Sequence, residues 1–185
     1  MWSGARLVLN NDLLAQFLGH SGCEGPRDVW SQRKDYDRAI QDYDAAIRIN
    51  PQLALTIANR GSAKKQKGDV DGAIADYVHA IEVNPNLATA YNSLAWELAT
   101  AERPTVRDGG RAVESALKAC ELSKWQIPAY IDTLAAAYAR AGNFDDAIKW
   151  QRKAMQDLGR GSLAGNDDAE QRLQRYEQRK AWPPD

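Results

Sequence analysis

Apolar residues return at helical intervals along two adjoining stretches in the middle of the chain. One carries Ile57, Arg60, Gly61 and Lys64 along a face, and the next carries Ala73, Ile74, Tyr77, Ala80 and Ile81. Between them stands Lys67-Gly68-Asp69. Glycine tolerates the left-handed conformation that ends a helix, and aspartate caps the next one. The pattern predicts two helices folded into a hairpin. Asn84-Pro85 then stops the second helix, because proline lacks an amide hydrogen and crowds the preceding turn.

The hairpin recurs. Ile49-Asn50-Pro51 returns as Val83-Asn84-Pro85, an offset of 34 residues, and Ala39, Tyr43 and Ala46 return at the same offset as Ala73, Tyr77 and Ala80. A period of this size is the mark of a helical array in which each unit buries its apolar stripe only against a neighbour.

On these residues the chain resembles the tetratricopeptide repeat family over roughly residues 34 to 158, with Gly61 as the small residue of a first helix and Lys64 standing where the family usually has an aromatic. Leu94-Ala95-Trp96, Arg107-Asp108-Gly109, Trp125 and Asp132-Thr133-Leu134 are similar to a bacterial subset with a long loop in the penultimate repeat. The resemblance implies an all-α, right-handed alpha-solenoid of stacked antiparallel helix hairpins, about three and a half repeats closed by a C-terminal capping helix. Residues 1–33 read as a degenerate segment with a partial first-repeat helix. The array follows over 34–161, with repeats near 20–53, 54–87, 88–127 and 128–161, and a linker, capping helix and tail occupy 162–185.

Two repeats depart from the pattern. In the first, Gly22, Gly25 and Pro26 disfavour a regular first helix. This leaves Tyr36, Ile40, Tyr43 and Ile47 partly uncovered unless Leu7–Leu18 folds over them. The third has eleven steps from Ala101 to Ala112 where the second has six from Lys67 to Ala73, so five residues are inserted around Glu102–Gly110. Trp125 and Pro104 are expected to pack that loop back on the stack. Trp2, Trp30, Trp150 and Trp182 read as packing or end-cap residues.

Composition narrows the partners. With 44% hydrophobic residues, 26% charged residues and a net charge of -1, the chain reads as a globular protein without the field needed to attract nucleic acid or an anionic membrane. Leu7–Leu18 is broken by Asn10, Asn11, Asp12 and Gln16 and makes a poor export signal. Ser21-Gly22-Cys23 is similar to the end of a lipoprotein cleavage site, but His20 stands where an aliphatic residue is needed. The expected compartment is cytoplasmic by default.

Chemistry is sparse. His20 and Cys23 have metal-like spacing, yet no second pair follows, so no metal or cofactor is expected. His79 reads as a solvated helix position, and no glycine run ends in a phosphate-binding Gly-Lys-Ser/Thr. Asp69, Asp71, Asp145 and Asp146 fall at helix starts, where they favour the helix dipole. No catalytic set converges, and the chain reads as a non-enzyme.

The resemblance also implies a concave face lined by the first helix of each repeat. That assigns Asn59, Ser62 and Lys65, then Asn92 and Trp96, then Asp132 and Arg140, as peptide contacts. Asparagine both donates and accepts toward a peptide unit, and Trp96 is the candidate aromatic anchor. Lys65 and Arg140 stand two repeats apart, with Asp132 opposing an anionic end, so a clamp for a terminal carboxylate is disfavoured. The expected function is a non-catalytic scaffold or adaptor binding a protein or peptide in its groove. The alternatives are a regulatory subunit of a partner enzyme and an assembly factor that forms a homo-oligomer through its N-terminal end.

Overall fold

A computed structural model describes residues 28–158 and 167–183. Contacts divide the chain into residues 1–34 and 35–185. Of the first unit only the start of helix α1 is described, so Leu7–Leu18, His20, Cys23 and the glycines near them lie outside the described residues, as do Trp2 and the stretch containing Gly159 and Gly161.

Among the described residues the fold is an all-α helical repeat solenoid. Its helices are α1 (Asp28–Ile49), α2 (Ala54–Gln66), α3 (Val70–Val83), α4 (Ala88–Thr100), α5 (Gly109–Leu122), α6 (Pro128–Arg140), α7 (Phe144–Leu158) and α8 (Asp167–Glu177). Helices α2 and α3, α4 and α5, and α6 and α7 pair as hairpins, and α4 packs on α3 and α6 on α5 to carry the stack forward. None of these helices is long and apolar enough to cross a membrane.

The turns follow from their residues. Gly68 and Gly142 take the same place in hairpins two and four at φ +89° and +81°, a conformation other residues adopt at a cost. Asp69 caps α3 by accepting from Gly72 N at 2.9 Å, and Asp108 caps α5 by accepting from Arg111 N at 3.0 Å. Pro128 opens α6, where its missing amide hydrogen is no loss.

The core is built largely from alanine. Ala73, Ala80, Ala112, Ala116, Ala119 and Ala136 are fully buried, and such small side chains let helix axes approach closely. Gly61 serves the same end within hairpin two, since a Cβ there would meet the Tyr77 ring at 2.9 Å. Helix α1 is less deeply buried. Tyr43 is buried, but Tyr36, Ile40 and Ile47 stay half-buried and Ile49 is 87% exposed.

The inserted loop differs from the expectation for it. Pro104 begins a short 3-10 turn over Pro104–Val106 and is exposed. Trp125 stacks on Trp150 of α7, with ring centroids 4.9 Å apart and planes 19° from parallel. Polar contacts hold the loop. Asp108 N donates to Leu98 O at 2.9 Å, Arg107 Nε donates to Ala101 O at 2.6 Å, and Arg103 pairs with Asp71 in the turn of hairpin two. Gly109 closes the arrangement, because a Cβ there would lie 2.6 Å from Ala141 N and 2.7 Å from Ala141 Cα.

Candidate peptide-binding groove

Helices α2, α4 and α6 bear the seven residues assigned from the sequence. The structure brings four of them together. Ser62, Lys65, Asn92 and Trp96 line one recess of about 190 Å³ between α2 and α4, joined by Ser93 and Glu97. Asn59 is half-buried on α2 and does not line it.

Each polar group in the recess has a definable state. Ser62 Oγ donates to Ala58 O at 3.3 Å, which leaves it to accept from the Tyr77 hydroxyl at 3.2 Å. Burial pushes the Tyr77 hydroxyl above its ordinary pKa, so it remains a donor at neutral pH. Lys65 Nζ pairs with Glu97 Oε1 at 2.6 Å, and the Glu97 side chain is only 5% exposed. An anionic group entering here meets a lysine already neutralised at close range, which disfavours a carboxylate clamp further. Asn92 Oδ1 is buried and accepts no hydrogen bond from the described residues.

The remaining two assigned residues are engaged inside the chain. Asp132 accepts from Gln151 Nε2 at 2.7 Å and from Arg172 Nη2 at 2.9 and 3.0 Å. Arg140 Nε donates to Ala99 O at 2.9 Å, and its Nη2 donates to the carbonyls of Trp182 and Pro183, each at 3.2 Å. These two side chains tie α6 to α4, α7, α8 and the tail.

Glu97 and Ser93 were not among the sequence assignments. Their signal was present in part, since Ser93 and Glu97 stand four apart and so share one face of α4. A wider cleft of about 500 Å³ adjoins the recess through Lys65, Trp96 and Glu97, bounded by the turn of hairpin two and the inserted loop.

Reactive groups are scarce. Burial pushes the Cys120 thiol up to about 12, so it stays protonated and a poor nucleophile at neutral pH. His79 is exposed on α3, and among the described residues no three histidine, cysteine or acidic side chains gather as a metal site.

Comparison with known proteins agrees with this geometry. Residues 61–95 match a model described as TPR repeat, and residues 129–160 and 31–53 match models described as tetratricopeptide repeat. This is a tetratricopeptide repeat protein. Two solved structures of MamA share the fold. The first has a TM-score of 0.63 at 19% identity, covering 82% of this chain and 77% of that one. The second has a TM-score of 0.58 at 17% identity, covering 85% and 96%. No curated protein matches the chain. Repeats of this family generally mediate protein–protein interactions and are generally non-catalytic, which supports a protein as the partner.

Proposed function

We infer that the chain is a non-catalytic adaptor that holds an extended segment of a partner protein in the groove between α2 and α4. The observation carrying this reading is the Asn92 side chain, whose buried oxygen accepts nothing from the described residues and which lines the recess beside Trp96. A buried acceptor without a partner costs about 1–3 kcal/mol. A turn of the Asn92 amide toward the recess it lines lets the oxygen accept a peptide N–H and relieves that cost, while the Trp96 ring supplies apolar area for a neighbouring side chain. Asn59, further along α2, extends the line of contacts.

Affinity capture followed by mass spectrometry tests the assignment. Replacing Asn59, Asn92 and Trp96 together is expected to abolish capture of the partner while far-UV circular dichroism retains its helical signal. Unchanged capture removes the groove from consideration.

A second reading has its own support. Ile49 is 87% exposed and Leu55 48%, close in sequence to the half-buried Ile40 and Ile47, and this apolar surface suits self-association. Light scattering across a concentration range separates the two, because a monomer at all concentrations leaves only the groove.

A further inference from the structure

The helix that ends the array uses the groove's own contact positions. Arg172 of α8 places both of its bonds to Asp132 within 3.0 Å, and its guanidinium carbon lies 5.9 Å from the centroid of the Trp96 ring. Trp96 and Asp132 sit on α4 and α6, the first helices of two successive hairpins. The Arg172 and Asp132 side chains are 11% and 13% exposed, so the guanidinium is enclosed. A guanidinium held between an aromatic face and a carboxylate is a recognition unit in itself, with charge, planarity and ring attraction all met.

The seam around this contact is left incomplete by the protein's own groups. Gln151 and Tyr176 are wholly buried, yet Gln151 Oε1 and the Tyr176 hydroxyl have no hydrogen-bond partner among the described residues, and neither do Arg172 Nε and Asn92 Oδ1. Permanent interior seams normally satisfy such atoms. Four leftover polar atoms spread over α4, α7 and α8 are what a surface shared between alternative occupants leaves behind.

We propose that α8 is an internal ligand of the first-helix face at Trp96 and Asp132, and that a partner segment bearing an arginine takes the place of Arg172 between them. This rests on the groove reading above and adds the chemistry of the partner. Its anchor is an arginine rather than a lysine, because a compact ammonium neither forks onto the carboxylate nor stacks on the ring as a guanidinium does. Competition is intramolecular. Helix α8 follows α7 in the same chain, so a partner segment competes with a ligand that is always present. A free segment therefore succeeds only by binding tightly or after α8 is weakened.

The test uses the full chain and a fluorescent synthetic peptide copying residues 167–183. The Arg172→Ala chain is expected to bind this probe at least tenfold more tightly than the unaltered chain. Changing Arg172→Lys in the probe is expected to weaken binding at least tenfold, and adding Asp132→Asn to the chain to abolish it. Equal affinity of the two chains for the probe, including no binding by either, overturns the proposal, as does a probe indifferent to lysine. Should the Arg172→Ala chain lose its helical signal, amide hydrogen exchange on the unaltered chain decides. The α8 amides must exchange at least a hundredfold faster than those of α6, and equal protection overturns the proposal. If the probe fails while the Asn59, Asn92 and Trp96 variant still loses its partner, the groove reading stands and the α8 competition falls. Undiminished capture by that variant overturns both.

Discussion

The first-helix positions toward the two ends of the array meet opposite fates. Toward the N-terminal end, Ser62, Lys65, Asn92 and Trp96 surround an open recess. Toward the C-terminal end, Asp132 and Arg140 are bonded to α8 and the tail. The helices themselves do not account for the difference, since α2, α4 and α6 are each thirteen residues long. Helix α8 accounts for it, because it packs on α6 and α7, bonds to Asp132 through Arg172 and meets the recess at the Trp96 ring. In a solenoid every unit leaves a contact surface for its neighbour, and the last unit's surface is taken by whatever follows it in the chain.

The contrast can be broken most strongly at Tyr176. Its ring is fully buried on α8, so Tyr176→Ala is expected to lower the unfolding free energy by about 3 kcal/mol in urea titrations. Truncating Ser62 to alanine, in the open end, removes one modest hydrogen bond and is expected to cost about 1 kcal/mol or less. Equal costs at the two sites would erase the distinction between a closed and an open end.

A smaller effect is expected from pH. Burial pushes the Cys120 thiol from its ordinary value of 9.0 up to about 12. Between those values the unfolded chain has lost the proton that the folded chain keeps, so stability falls as pH rises. The contribution is complete below about pH 8, and at pH 10 roughly 1 kcal/mol is lost. Unfolding curves at pH 8 and pH 10 check this, and Cys120→Ala is expected to reduce the difference.

The smallest change in stability is expected at Asn92. Asn92→Leu removes a buried acceptor without a partner, so stability is expected to hold or to rise by up to about 1 kcal/mol, while partner capture weakens. A large loss of stability on calorimetry would show that Asn92 serves the fold rather than the groove.

Much of the fold could be read from spacing. Gly61, Ala73, Tyr77 and Ala80 form hairpin two as their intervals require, and they are buried there as a helical stripe should be. The recess was legible in part, since Ser62, Lys65, Asn92 and Trp96 do share one surface. What escaped was contact at long range. Arg172 lies 40 residues from Asp132, and no local period states which way a capping helix turns its basic side chains. Lys65 looked available because its partner Glu97 sits one repeat further on. The stack of Trp125 on Trp150 of α7 escaped for the same reason, since the two indoles lie a helix hairpin apart in the sequence.

The ionic strap at the start of the array has a consequence of its own. Arg60 joins Asp76 within hairpin two through Nε at 2.8 Å and Nη2 at 2.6 Å, and joins Asp44 of α1 through Nη1 at 2.6 Å. The Asp76 side chain is 5% exposed and that of Asp44 is 43% exposed. Mobile counterions screen the exposed contact well and the sheltered one poorly. Rising ionic strength therefore loosens the grip on α1 while Arg60 stays seated on Asp76, so the first helix of the stack answers to the salt around it and the second hairpin does not.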